Sequence, residues 1–260
     1  MEAKLLFLGT GGSLGIPVIT CKCPVCTSNS PLNKRTRPSV LLEVGRRTFL
    51  IDVGPDFREQ ALHFGIDELD GVLLTHSHYD HIGGIDELRV FYFKHKKRMP
   101  ILASIDTYDE LRHRFHYLFQ TKQADGTLQS QFDFQILEED FGRATFQGLK
   151  LQYVSYTQAN MKVTGYRFGP LAYISDIRHF DDRIIEDLKG TEVLVVSAVR
   201  YTPSEVHFTI DEAVEFSRAV GAKRTFLTHM AHDLEHDATN QKLPEDVRLA
   251  HDGLELSFTL

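Results

Sequence analysis

An apolar run that ends in a cluster of metal-binding side-chain types constrains this 260-residue chain more than any other feature. Leu73 and Leu74 lead through Thr75 into His76-Ser77-His78-Tyr79-Asp80-His81, and Gly83-Gly84 close the segment. Such a run reads as a strand that delivers polar groups to the edge of a sheet. His76 and His78 can put two imidazoles on one ion, and Asp80 and His81 can serve a second. Imidazole and carboxylate donors together suit zinc, manganese or iron.

Three further apolar runs end in the same way. Ile51-Asp52-Val53-Gly54, Tyr173-Ile174-Ser175-Asp176 and Phe226-Leu227-Thr228-His229 each close a strand-like segment on a potential ligand. With the H-x-H-x-D-H motif, these stations make the chain resemble the metallo-β-lactamase superfamily. The resemblance implies a four-layer αββα sandwich in which strand ends from distant sequence meet at one rim. It implies that His76 and His78 hold one divalent metal, that Asp80, His81 and His229 hold a second, and that Asp176 bridges them. It also implies that Asp52 orients a ligand histidine, against the alternative of a buried turn residue.

From periodicity alone the class is α/β. Lys4–Leu8, Val40–Val44 and Thr48–Asp52 read as strands, with a hairpin at Gly45-Arg46-Arg47. Asp56 to Gly65 reads as a short capped helix, Leu69 to Leu74 as the strand feeding the motif, and Glu87 to Lys94 as the start of a helix. Pro100–Ala103 reads as a strand, Tyr108–Gln120 as a helix carrying His113 and His116 as surface or packing residues, and 120–131 as a loop. Strands resume near Leu149 and continue at Thr164–Phe168, Leu171–Ser175, Val193–Ser197, Thr225–Thr228 and Glu255–Thr259, with an amphipathic helix over Ile210–Val220. Strands and helices interleave in both halves and both halves supply ligands, so one domain over residues 1–260 is expected. A net charge of −7 and a pI near 6.0 argue against a general nucleic-acid binder. The run Lys94-His95-Lys96-Lys97-Arg98 reads as a solvated helix end or loop, or as a local patch for an anionic substrate. No stretch approaches a membrane span, and the N-terminus lacks the apolar core of a signal peptide, which points to the cytoplasm. A homodimer is left open.

All three cysteines fall in Cys21-Lys22-Cys23-Pro24-Val25-Cys26. An odd number cannot close a disulfide set within one chain, so three thiolate ligands of a structural zinc, or three unconnected thiols, remain. Together with Gly9-Thr10-Gly11-Gly12-Ser13-Leu14-Gly15-Ile16-Pro17, the triple resembles the PhnP-like branch of the superfamily, whose best-known activity opens a cyclic phosphodiester of ribose. That resemblance implies a fourth zinc ligand three residues after the last catalytic histidine, and His232 has this spacing from His229. It also implies a substrate-side histidine before the Ile210 helix, where His207 stands, to bind substrate or protonate the leaving oxygen.

The pattern breaks once. The branch places another ligand histidine before a strand like Val163-Thr164-Gly165-Tyr166, but no histidine lies between His116 and His179. Gln158 takes the place, with Thr157 and Asn160 as alternatives. A neutral amide oxygen is a weaker donor than imidazole, so the first metal site is expected to be the weaker one. The expected function is hydrolysis of a small, cyclic or nucleotide-like phosphodiester by a metal-bound hydroxide, with Asp80 and His207 as catalytic groups, two active-site zinc or manganese ions and one structural zinc. The alternatives are a transfer-RNA 3′-processing nuclease, a thioester or lactone hydrolase, and a zinc protein without turnover because of Gln158.

Overall fold

The computed structural model describes residues 1–119 and 131–260. Its first half supplies strands β1 (Glu2–Gly9), β2 (Ser39–Val44), β3 (Arg47–Ile51), β4 (Gly71–Leu73), β5 (Met99–Ser104) and β6 (Phe132–Leu137). Its second half supplies β7 (Phe141–Phe146), β8 (Leu149–Gln158), β9 (Met161–Phe168), β10 (Leu171–Ile174), β11 (Val193–Ser197), β12 (Arg224–Thr228), β13 (Val247–Leu249) and β14 (Glu255–Thr259). The helices are α1 (Phe57–Phe64), α2 (Tyr79–Ile82), α3 (Arg89–His95), α4 (Ile105–Arg114), α5 (Arg183–Leu188), α6 (Ile210–Val220) and α7 (His236–Asn240).

The strands form two seven-stranded sheets, ordered β14-β1-β2-β3-β4-β5-β6 and β13-β12-β11-β10-β9-β8-β7. The final strand β14 returns to pair antiparallel with β1. Alternation along β1 explains the layering. Leu5 and Phe7 enter the core between the sheets, where they meet Phe49, Phe146, Tyr166, Phe168 and Tyr173. Leu6 and Leu8 point the other way, into a core with Phe57 of α1, Phe91 of α3 and Leu111 of α4. On the far side, Phe216 and Val220 of α6 pack with Ile184 of α5 against Leu194 and Val196. The layers therefore run α, β, β, α, as the sequence resemblance implied.

Several boundaries differ from those read in sequence. The helix expected over Tyr108–Gln120 begins earlier, because the Ser104 hydroxyl accepts from the Thr107 N–H and caps it. It ends at Arg114, where Phe115 leaves helical backbone, and a 3-10 turn covers His116–Phe119. The helix expected from Glu87 starts at Arg89, after a 3-10 turn over Ile85–Leu88. Strand β4 is shorter than expected, and the second sheet begins at Phe141 rather than near Leu149. The expected loop over 120–131 falls outside the described residues apart from Gln131. By contrast, α1 is bounded by Asp56 and by Gly65 in left-handed backbone, and α6 opens on a complete capping box between Thr209 and Glu212.

The exit from β3 packs backbone to backbone on the motif. A Cβ at Gly54 would collide with the Asp80 carbonyl oxygen, and one at Gly84 with the Gly54 carbonyl. Val53 N–H donates to the His81 carbonyl and Gly84 N–H to the Val53 carbonyl, so the two segments are knitted together. Gly54→Ala should therefore destabilise the fold by about 1–3 kcal/mol, read as a lower urea midpoint.

Candidate metal centre

Three strand ends deliver the centre through strained backbone. Asp52 after β3, Asp176 after β10 and His229 after β12 all have positive φ, at 62°, 52° and 60°. Left-handed backbone at non-glycine residues is costly and clusters at functional sites. Here it turns each side chain off its strand and over the rim of the sheets. The H-x-H-x-D-H motif reaches the same place from β4, with Asp80 and His81 on the short helix α2.

The result is a buried cluster of carboxylates and imidazoles. Asp52, His76, His81, Asp176 and His229 are each at most 1% exposed. The Nε2 atom of His81 lies 3.1 Å from Asp176 Oδ2 and 3.6 Å from Asp80 Oδ2. His229 Nε2 lies 3.2 Å from Asp80 Oδ2 and 3.3 Å from Asp176 Oδ1. Donors held 2.0–2.1 Å from a tetrahedral ion stand roughly 3.4 Å from one another, so these gaps are those of a ligand shell. His81 Nε2 is buried without a hydrogen-bond partner, which is the mark of an atom meant for something else. Three overlapping donor triads meet here: His76, His81 and Asp176; Asp80, His81 and His229; and Asp176, His207 and His229. His81 has only Nε2 free and can serve one ion, so the triads are alternatives around Asp176 rather than two separate complete shells. His78 joins through His76, with its Nδ1 3.0 Å from His76 Nε2.

Asp52 bonds to the outer side of the cluster. It takes His81 Nδ1 at 2.6 Å and accepts from the Thr75 N–H and hydroxyl at 2.8 Å each. That contact fixes the ring so that Nε2 points inward, the usual arrangement behind a ligand histidine. Thr75, Ser175, whose hydroxyl donates to Asp176 Oδ2 at 2.6 Å, and Tyr156, whose hydroxyl donates to the Ser175 carbonyl at 2.5 Å, were not singled out from sequence. Their only signal there is adjacency to a ligand.

Gln158, at the end of β8, is buried and points into the cluster; Thr157 pairs with His179 at the strand edge and Asn160 is exposed. Its amide nitrogen donates to Asp176 Oδ1 at 3.1 Å and lies 2.9 Å from His207 Nε2, while its Oε1 has no partner. His207 Nδ1 is 3.4 Å from Asp176 Oδ1. Burial pushes the His207 imidazole down to about 4, despite Asp176 nearby. It is therefore neutral at rest and can accept a hydrogen bond at one ring nitrogen.

Burial opposes charge throughout the cluster; opposite charges outweigh it at Asp176, His81 and His229, while burial wins at His76, His78 and His207. The imidazoles of His229 and His81 hold Asp176 well below the usual carboxylate range, and Asp52, Asp176 and Asp80 hold His81 well above its ordinary value. His229 is raised by Asp176 and Asp80, while burial and the charge on His81 keep His76 neutral.

Cys21, Cys23 and Cys26 converge on His232, their sulfurs 3.2, 3.6 and 3.4 Å from its Nδ1. Thiolate and imidazole donors of a tetrahedral zinc stand roughly 3.5 Å apart, so the four residues fit that ion. The Cys26 N–H donates to the Cys23 sulfur and holds that thiol down to about 6, whereas burial pushes Cys26 up to about 11. The N-terminal loop is joined to the histidine segment by Gly12 N–H to the Met230 carbonyl and Met230 N–H to the Thr10 carbonyl. Arg35, 1% exposed and not anticipated from sequence, clamps the same junction by donating to the Leu234 carbonyl at 2.8 Å.

The family described as Beta-lactamase superfamily domain matches residues 47–230. This chain belongs to the metallo-β-lactamase superfamily. A solved structure described as a new diphosphatase from the PhnP family is 38% identical, with a TM-score of 0.91 over 99% of this chain and 98% of that one. The chain is PhnP-like within the superfamily. The octanoyltransferase of Porphyromonas gingivalis is 33% identical over 97% of this chain and 51% of its own length, so the chain spans about half of that protein. A ribonuclease Z of Methanopyrus kandleri is 34% identical over 86 residues, which are 32% of this chain and 25% of that one.

Two measurements check the metal assignments of this PhnP-like chain. At pH 6 the metal-free His81 and His229 are protonated, because both are raised above 6.5. An ion accepts only neutral imidazole, so loading the centre at pH 6 should release about two protons and affinity should fall as pH falls. Calorimetry in buffers of different ionisation enthalpy reads that number. Cys23→Ser should lose one equivalent of zinc and lower the melting temperature, since a closed zinc site contributes to folding; metal analysis beside a thermal melt reads both.

Proposed function

We propose that this chain is a metal-dependent phosphodiesterase acting on a small phosphodiester, with residues 1–260 forming one catalytic domain. The observation that carries the proposal is the set of overlapping donor triads gathered around the Asp176 carboxylate. The PhnP-family diphosphatase and the ribonuclease Z relative support phosphoester chemistry in this superfamily. A cyclic substrate of the PhnP kind is the finer form of the proposal.

When bound, a pair of divalent ions supplies Lewis-acid polarisation of phosphoryl oxygens and acidifies a water. His76, His78, Asp80, His81, Asp176 and His229 would hold them, as zinc or manganese. The remaining residues position and tune. Asp52 holds His81 in one tautomer and one orientation. Gln158 supplies an amide N–H to Asp176 and takes no negative charge into the cluster. His207 stands neutral at the substrate side and can accept a hydrogen bond from an incoming hydroxyl or water. Asp80, 7% exposed, is the most exposed carboxylate of the cluster and would offer an acceptor to the attacking water.

No helix among the described residues is long and apolar enough to cross a membrane. A cytoplasmic location and a small-molecule substrate are part of the same proposal.

With zinc or manganese supplied, the chain should cleave bis(p-nitrophenyl) phosphate faster than p-nitrophenyl phosphate. Asp80→Ala should lower that rate by about 10²-fold or more, the scale of removing one polar group from a charged transition state, with an unchanged circular dichroism spectrum. Equal rates for wild type and variant would place the activity elsewhere.

A further inference from the structure

A ligand ring keeps its direction when a second group holds it from behind. Asp52 does this for His81, and His76 Nδ1 meets the Thr75 hydroxyl at 2.9 Å. His78 has no equivalent. Its Nδ1 stands 3.0 Å from His76 Nε2, and among the described residues nothing hydrogen-bonds its other ring nitrogen. The direction of this ring depends on the backbone that carries it. That backbone is held from another element: Arg114, in the last turn of α4, donates from Nη1 to the Ser77 carbonyl at 2.8 Å. The Ser77 carbonyl and the His78 nitrogen share one planar peptide unit, so a contact that fixes the carbonyl fixes the plane from which His78 departs.

The donor is aimed before it meets the peptide. Glu110, one turn earlier in α4, takes Nε and Nη2 of the same guanidinium at 2.9 Å each. That pair is exposed and contributes little by itself. Its effect is to leave Nη1 directed at Ser77, which is 2% exposed. Helix α4 is anchored at its other end too. Lys162 of β9 lies 3.0 Å from Asp106, in the first turn of α4, and 2.8 Å from Asp140, just before β7. The Ser77 hydroxyl reaches the sulfur of Met161, the neighbour of Lys162, at 3.7 Å. Arg114 therefore acts from a helix tied to the second sheet, on a peptide that touches the same strand.

We infer that Arg114 is a positioning residue for His78, preorganising it for the ion that His76 and His78 would share. This rests on the metal-dependent reading of the centre and adds to it a residue outside the ligand set. A hydrogen bond from a charged donor is stronger than one between neutral groups, and a guanidinium fixed by a carboxylate loses little freedom in making it. Strand β8 ends on Gln158, which brings an amide rather than an imidazole to the centre. A preset His78 then carries more of this ion's binding.

The test titrates zinc into the chelator-treated protein in competition with a chromogenic chelator. Arg114→Ala should weaken zinc at the centre by about tenfold, the scale of removing a group that orients a ligand, while zinc at Cys21, Cys23, Cys26 and His232 binds as in wild type. Arg114→Lys keeps a charged donor and should recover part of the loss. Arg112→Ala, which removes a cation from over the Tyr108 ring on the same helix, should bind as wild type does. A second arm needs no metal: the amide nitrogen resonance of His78 should move in metal-free Arg114→Ala while that of His232 stays in place. Wild-type zinc binding by Arg114→Ala, equal weakening at the cysteine cluster or in Arg112→Ala, or an unmoved His78 resonance refutes the positioning role. If wild type takes no zinc at the centre, the metal-dependent reading fails, and the His78 resonance then decides the positioning role by itself: moved upholds it, unmoved refutes it.

Discussion

Everything in this fold converges on the carboxylate of Asp176. It is 1% exposed, and around it stand His81, His207, His229, Gln158 and Ser175, drawn from five different stretches of chain. A lone buried carboxylate would be protonated or would unfold its surroundings. The imidazoles of His229 and His81 outweigh the burial and keep it charged. Asp80 and Asp52 add two more carboxylates to the same small volume, so the cluster holds its charge in an arrangement built for cations. The strain in the backbone belongs to this arrangement: Asp52, Asp176 and His229 leave their strands in left-handed conformation because a regular strand continuation would carry the side chains past the rim.

The second cluster depends on the first through covalent continuity. His229 and His232 lie three residues apart, and the intervening Met230 pairs with the N-terminal loop on both its N–H and its carbonyl. A closed site at Cys21, Cys23, Cys26 and His232 would thus fix the loop whose Gly12 lies against His229. Arg35 and Asn33 tie the same loop to Leu234, Glu235 and His236. The N-terminal loop is therefore part of the wall of the centre, held by backbone pairing and side-chain clamps, beside a set of thiols and an imidazole that could hold a metal.

Much of this was legible in the sequence because the ligands mark the ends of apolar strands. Asp52, His76, Asp176 and His229 could each be placed from a run of buried residues that stops on a polar one. The edges of the fold were not legible in this way. Strands β6 and β7 are half-exposed, so their alternation is weak, and the start of α4 is set by the Ser104 cap rather than by hydrophobic spacing. Gln158 could be placed at the centre, but not the direction of its amide, which follows from the acceptor it meets in Asp176. The groups behind the ligands, Thr75, Ser175, Tyr156 and Arg35, are ordinary residue types whose roles arise only from contacts across long sequence separations.

The central claim is that one carboxylate organises a two-ion centre beside a separate thiolate zinc site. Anomalous diffraction from crystals grown with zinc or manganese, collected on both sides of each absorption edge, tests it most directly. The expected result is a pair of peaks flanking Asp176, one toward His76 and one toward Asp80 and His229, with a separate zinc peak among Cys21, Cys23, Cys26 and His232. Metal-replete crystals with no peak within coordinating distance of Asp176 would contradict it.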